Sequence, residues 1–171
     1  GKILEGEIQM NEALAKSAVI PPVRHTVIVE APQNHAFEVF TKGLDTWWFR
    51  DHHIGKEPLQ EAIMEPRQGG RVYERGIHGA ECDWGRVLVW EPPVRLVVSW
   101  QIQHDWGFDP DPTHGSEYEV RFIAESETRT RVEFEHRHFE RHGAAGQKMH
   151  DAVTRGWAKL LAAYAKTAST A

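Results

Sequence analysis

The feature that most constrains the fold is an apolar stripe near the C-terminal end of the chain. Within residues 147–168, large apolar or aromatic side chains recur at intervals of three or four positions, which is typical of one face of an α-helix. The stripe consists of Met149, Val153, Trp157, Leu160, Leu161 and Tyr164. A helix of this length spans about 33 Å at 1.5 Å per residue. An apolar helix face must be covered, so the rest of the chain has to provide a long apolar surface.

The preceding residues predict that surface to be a β-sheet. Alternating or β-branched segments, separated by turn residues such as Gly69-Gly70 and Glu91-Pro92-Pro93, are typical of antiparallel strands. Strands are predicted at residues 23–30, 59–65, 71–77, 84–90, 94–103, 116–124 and 131–139.

Two short helices are predicted after the first strand. Pro32 opens a helix that carries Ala36, Phe37 and Phe40 and ends near Gly43, and residues 44–50 form an aromatic-rich turn or helix. The predicted fold is α+β: a curved antiparallel sheet of six or seven strands wrapped on the long C-terminal helix.

Length and composition limit the organisation and the partners of the chain. With 171 residues, 40% of them hydrophobic, one domain is expected at residues 23–168, preceded by an extension at residues 1–22. Met10 could be a native start, in which case residues 1–9 would be an added segment. A net charge of -5 disfavours nucleic-acid binding.

The cellular setting follows from what the sequence lacks. The single cysteine, Cys82, cannot form an internal disulfide, no apolar run has the length of a membrane span, and no signal-peptide pattern is visible. We expect a cytoplasmic protein that does not bind membranes and is a monomer or a weak homodimer.

Residues 132–142 contain the strongest candidates for chemically active side chains. On a strand, alternation places Phe134, His136 and His138 on the inner face with Val132. Two such histidines can reach one metal ion, but no third ligand stands at a diagnostic spacing, so neither a metal nor another cofactor is expected. The histidines either orient a ligand oxygen or serve the structure alone.

Aromatic side chains form a second candidate group. Trp47, Trp48 and Phe49 are expected to cap one end of the sheet, where they either stack on a planar ligand or pack in the core. Gly156, beside Trp157, indicates close backbone approach, spare volume or simply a tolerated surface glycine. The predicted ligand-binding residues are Trp47, Trp48, Trp100, Phe122, Phe134, His136, His138, Val153, Trp157 and Leu160.

Residues 104–115 are rich in Asp, Pro and Gly and predict a long loop. Asp105, Asp109 and Asp111 lack the spacing of a calcium loop, so they are expected to form turns.

Several segments in order resemble a known family. The chain resembles the activator-of-heat-shock-protein-90-ATPase homologue family, which belongs to the START-like, or SRPBCC, superfamily. The residues that carry this resemblance are Ala31-Pro32, Trp47-Trp48, Gly69-Gly70, residues 85–87 and Gly156-Trp157. Residues 23–32, 108–122 and 130–143 are especially similar to enediyne (calicheamicin-type) self-resistance proteins. The resemblance implies a helix-grip fold with a cavity for a hydrophobic ligand.

Three functions follow as hypotheses. The first is binding, and possible sequestration, of a small hydrophobic or polycyclic aromatic molecule between the sheet and the C-terminal helix. The second is a cyclase or hydrolase that uses His136 or His138 as acid or base. The third is a co-chaperone that activates a chaperone ATPase. No nucleophile motif is present to favour the second.

Overall fold

The computed structural model describes residues 20–170. Most of the predicted N-terminal extension therefore lies outside the described residues. The strands are β1 (Val23–Val29), β2 (Leu59–Met64), β3 (Arg71–Gly76), β4 (Glu81–Glu91), β5 (Arg95–Trp100), β6 (Ser116–Ser126) and β7 (Arg129–Arg137). The helices are α1 (Gln33–Phe40) and α2 (Gly146–Ala168), with 3-10 helices at Leu44–Thr46, Pro112–His114 and Phe139–Ala145.

All seven strands form one antiparallel sheet in the order β1-β7-β6-β5-β4-β3-β2. Register shifts in the β2–β3, β3–β4 and β4–β5 pairs mark irregularities of the kind that bend strands. At Gly85 a Cβ atom would lie 1.9 Å from the Ser99 carbonyl oxygen, so only glycine allows β4 and β5 to approach here. The sheet curls into a half-barrel.

The long helix α2 packs into the curl of the sheet. All six residues of the predicted stripe are buried, and the Tyr164 hydroxyl donates a hydrogen bond to the Ala36 carbonyl oxygen at 2.6 Å. Phe40 of α1 lies edge-on to Tyr164, so α1 closes one end of the core. The predicted helix-grip architecture is confirmed. No helix in residues 20–170 is long and apolar enough to cross a membrane.

The end of β7 differs from the prediction. The strand stops at Arg137 because His138 adopts a left-handed backbone conformation (φ 68°, ψ 39°) and Phe139 begins a 3-10 helix. Alternation therefore ends one residue too early to place His138 on the inner face. The predicted position of His138 is wrong, whereas His136 does face inwards and is fully buried.

The long loop has more structure than its composition predicts. Ile102 and Phe108 form an isolated antiparallel bridge, and Pro112–His114 is a 3-10 turn. The three aspartates form turns as expected, because each accepts a hydrogen bond from the backbone N–H two residues later.

Candidate functional site: an aromatic cleft

The inner wall around Phe134 and His136 is filled by protein. The ring centroid of Trp157 lies 4.5 Å from that of Phe134 and 5.0 Å from that of Tyr118. The Trp157 indole N–H donates to His136 Nδ1 at 3.0 Å. Trp157 therefore occupies the space where the sequence predicts a ligand against this wall.

A chain of hydrogen bonds continues from this wall towards the surface. His136 Nδ1 accepts from Trp157, so His136 Nε2 is the nitrogen that carries the proton and donates to Ser116 Oγ at 2.7 Å. The Ser116 hydroxyl in turn donates to His142 Nε2 at 2.7 Å, and His142 Nδ1 donates to Gln103 Oε1 at 3.0 Å. Every ring nitrogen in this chain has a partner.

Burial keeps both of these histidines neutral. It holds the pKa of His136 well below its usual range and lowers the pKa of His142 to about 4. A buried, fully bonded, weakly basic imidazole is a poor acid or base for a substrate. His136 therefore serves as a structural residue of the wall.

An open cleft lies next to this filled wall. Its main volume is about 330 Å³, which falls within the range of small-molecule sites. It is lined by Trp48, Asp51, His52, His53, Ile54, Trp84, Trp100, Ile102 and Trp106.

A narrower volume of about 90 Å³ continues from the cleft to α2. It shares Trp48, His52, Trp100 and Trp106 with the main volume and adds Ala152, Val153, Gly156, Trp157 and Leu160. A Cβ atom at Gly156 would meet nothing within 4 Å, so spare volume, not close backbone approach, accompanies this glycine.

A buried carboxylate fixes the segment that forms one side of the cleft. Glu74 of β3 is 1% exposed and accepts hydrogen bonds from Ile54 N at 2.6 Å and Gly55 N at 3.1 Å. It also accepts from the Trp84 indole N–H at 2.9 Å. Because a buried charge requires such donors, Glu74 ties the irregular segment to the sheet beneath it.

Trp106 stands on the opposite side, at the tip of a tight turn. Gln103 N donates to the Gly107 carbonyl oxygen at 2.8 Å, which closes the turn below it. The backbone of Trp106 is left-handed (φ 63°), which is uncommon for a bulky residue, and the residue is 49% exposed. A strained, exposed aromatic residue beside a cleft is a feature of ligand sites.

The polar atoms of the cleft differ in how they are bonded. The Trp48 indole N–H donates to the His52 carbonyl oxygen at 2.8 Å. The Trp100 indole N–H is buried and has no acceptor within residues 20–170. His52 Nδ1 lies 2.9 Å from Asp51 Oδ1, and His53 Nδ1 lies 2.8 Å from the Gly55 carbonyl oxygen.

The structure brings together half of the residues predicted to bind a ligand. Those that line the cleft or its narrow extension are Trp48, Trp100, Val153, Trp157 and Leu160.

The other half lie elsewhere. Trp47 and Phe122 pack in the core around Phe40, and the Trp47 indole N–H is bonded to the Val39 carbonyl oxygen. Phe134 and His136 belong to the filled wall. His138 is half-buried, with Nδ1 3.6 Å from Glu140 Oε1.

Seven of the nine residues that line the main volume were missed from the sequence, among them His52, His53, Trp84 and Trp106. The paired histidines directly follow the aromatic cluster at 47–49 in an irregular segment, and Trp106 is the one tryptophan in the long loop. The loop positions of the two histidines and of Trp106 could have identified them from the sequence, because functional residues concentrate on loops held by a rigid scaffold.

Comparison with known proteins decides the family. The family model for Activator of Hsp90 ATPase homolog 1-like protein matches residues 30–168. The chain belongs to this family. The resemblance drawn from the sequence motifs is thereby confirmed, and no curated protein matches the chain.

Solved structures of the same SRPBCC fold include two relatives of appreciable identity. The anthrahydroquino-γ-pyrone synthase Txn09 is 41% identical, with a TM-score of 0.58 over 80% of this chain and 88% of its own. CalC of Micromonospora echinospora, a self-sacrificing resistance protein, is 31% identical, with a TM-score of 0.65 over 86% and 94%. Protein NE0264 of Nitrosomonas europaea (14% identity, TM-score 0.61 over 86% and 93%) shares the fold.

The family and these relatives fit a ligand-binding domain. Within residues 20–170 no group of three or more His, Cys, Asp or Glu side chains is placed to hold a metal ion.

Proposed function

We propose that this member of the Activator of Hsp90 ATPase homolog 1-like family binds a planar polycyclic aromatic molecule in the cleft. The observation that carries the proposal is the set of tryptophans around the open volume: Trp48, Trp84, Trp100 and Trp106. Tryptophan is a rigid aromatic side chain that stacks on fused rings at low conformational cost, and Trp106 is 49% exposed.

The relatives support an aromatic ligand of this kind. The name of the 41% identical protein describes a synthase of an anthrahydroquino-γ-pyrone, which is itself a fused polycyclic compound. CalC is named as a resistance protein, which favours sequestration of a toxic compound as one use of such a cleft. The same open volume is suited to ring synthesis and to sequestration.

A ring-forming enzyme is the second candidate, and the identity to the synthase favours it. Such an enzyme would not rely on His136 or His138, because His136 is buried with both nitrogens bonded and His138 lies outside the cleft. Turnover of a bound polycyclic precursor would distinguish this candidate from a binder. The co-chaperone role stays a prediction drawn from the family name.

Tryptophan fluorescence tests the proposal. Titration with 9,10-anthraquinone should give saturable quenching, and Trp106→Ala should weaken binding at least about tenfold, or about 1.4 kcal/mol. Trp90→Ala is the matched control, because Trp90 is a partly buried tryptophan that packs against Phe37, away from the cleft. Absence of saturable quenching, or equal losses in the two variants, would overturn the proposal.

A further inference from the structure

Two neighbouring histidines, His52 and His53, line the cleft, and in each of them one ring nitrogen forms a hydrogen bond within the protein. His52 Nδ1 faces the Asp51 carboxylate, and His53 Nδ1 faces the Gly55 carbonyl oxygen. Both partners can only accept hydrogen bonds, so both imidazoles carry their proton on Nδ1. In the neutral ring the other nitrogen, Nε2, is then an acceptor with a free lone pair.

Neither lone pair is used by the protein. Within residues 20–170 Nε2 of His52 and Nε2 of His53 form no hydrogen bond, whereas both nitrogens of His136 and of His142 are bonded. The two histidines that line the cleft therefore each keep one unbonded ring nitrogen, whereas His136 and His142 keep none.

The backbone that carries these histidines is anchored on both sides. The His52 carbonyl oxygen accepts the Trp48 indole N–H, and Glu74 binds the N–H groups of Ile54 and Gly55 directly after His53. Acceptors held on an anchored segment need little ordering when a ligand arrives, which favours specific recognition.

We propose that His52 and His53 are the specificity-determining residues of the cleft and that its ligand is a polycyclic phenol, whose hydroxyl groups donate to the two Nε2 atoms. The inference rests on the proposed function and adds the chemical class of the ligand. The tryptophans supply affinity for the rings, and the histidines select rings that bear a hydroxyl donor.

Three matched compounds test the inference by equilibrium dialysis: 9-phenanthrol, 9-methoxyphenanthrene and phenanthrene. The methoxy compound keeps the oxygen but has no donor, and phenanthrene separates loss of the donor from steric exclusion of the methyl group. The unaltered protein should bind 9-phenanthrol about tenfold tighter than either of the others, since one good hydrogen bond is worth about this much.

Substitution of the histidines should remove this preference. In the His52→Ala/His53→Ala double variant the three compounds should bind within about twofold of each other, with binding of phenanthrene retained. His78→Ala is the control, because His78 is exposed in the turn between β3 and β4.

The possible failures are distinguishable. If phenanthrene and 9-phenanthrol bind the unaltered protein equally, or if the preference survives in the double variant, the inference is wrong while an aromatic cleft stands. If none of the three compounds binds, the proposed function itself fails.

Discussion

Two aromatic regions lie side by side against α2, and they differ in completeness. Around Phe134, Tyr118 and Trp157 the rings are in mutual contact, and the polar atoms of His136 are fully bonded. In the cleft, the Trp100 N–H has no acceptor, Trp106 is half-exposed on a left-handed backbone, and two imidazole nitrogens are unused.

The comparison shows that aromatic density does not by itself locate a ligand site. Both regions are rich in aromatic side chains, and Trp157 contributes to both, since its centroid lies 5.8 Å from that of Trp100. What separates them is whether other protein groups already supply the packing and the hydrogen bonds. A region that is complete stabilises the fold, and a region that is incomplete has capacity for a ligand.

The largest expected effect on stability comes from removing the Trp157 side chain from the filled region. Trp157→Ala should lower the free energy of unfolding by about 3–5 kcal/mol, because it opens a cavity and leaves His136 Nδ1 without its donor. Trp106→Ala, which removes a half-exposed ring, should cost less than about 1 kcal/mol. Urea denaturation measures both, and similar losses would refute the division into a complete and an incomplete region.

The next effect concerns the anchor of the cleft. Glu74→Gln should cost about 2 kcal/mol in urea denaturation, because an uncharged amide with one acceptor oxygen replaces a carboxylate that binds three N–H groups. Glu125→Gln is the control. Its ion pairs with Arg129 and Arg131 lie at the surface, where such pairs contribute less than about 1 kcal/mol.

The same substitution should also weaken binding of an aromatic ligand, because the segment that carries His52 and His53 loses its attachment to β3. A Glu74→Gln protein as stable as the Glu125→Gln control would show that the carboxylate does not hold the segment.

The third effect is a pH dependence that belongs to the filled region. The pKa of His142 is lowered to about 4 in the folded state, whereas an unfolded histidine titrates near 6.5. Between these values the unfolded chain binds more protons, so the stabilisation is fully present above about pH 6.5 and is lost as the pH falls towards 4. The lowered pKa of His136 acts in the same direction.

His142→Gln removes one of these titrations while keeping a polar side chain. Its unfolding free energy should therefore fall less steeply than that of the unaltered protein between pH 6.5 and 4.5, by up to about 1.4 kcal/mol per pH unit. Parallel pH profiles from urea denaturation would show that His142 is not neutral in the folded chain.

The fold was largely predictable because it follows from periodicity. Alternation located all seven strands, and the three- and four-residue spacing located α2 together with its buried face. Where local backbone geometry overrides periodicity, prediction failed: the left-handed conformation of His138 ends β7 early and leaves that residue only half-buried.

The site was predictable only in part. Trp48, Trp100 and Trp157 lie beside a cavity, but whether a ring borders open space or fills it depends on packing, which the spacing of residues does not reveal. His52 and His53 lie in an irregular segment without a period, and the hydrogen bonds of Glu74 and of the Trp48 indole N–H show where that segment is held.

The most direct test of the account is the ¹H–¹⁵N spectrum of the seven tryptophan indole groups during titration with 9-phenanthrol. Single Trp→Phe variants assign the signals. The indole N–H signals of Trp48, Trp84, Trp100 and Trp106 should shift most, and that of Trp100 should shift because the bound ligand changes the surroundings of its N–H group. The buried Trp47, bonded to the Val39 carbonyl oxygen, should stay unchanged. Shifts confined to Trp47 and Trp157, with Trp84 and Trp106 unaffected, would contradict the account.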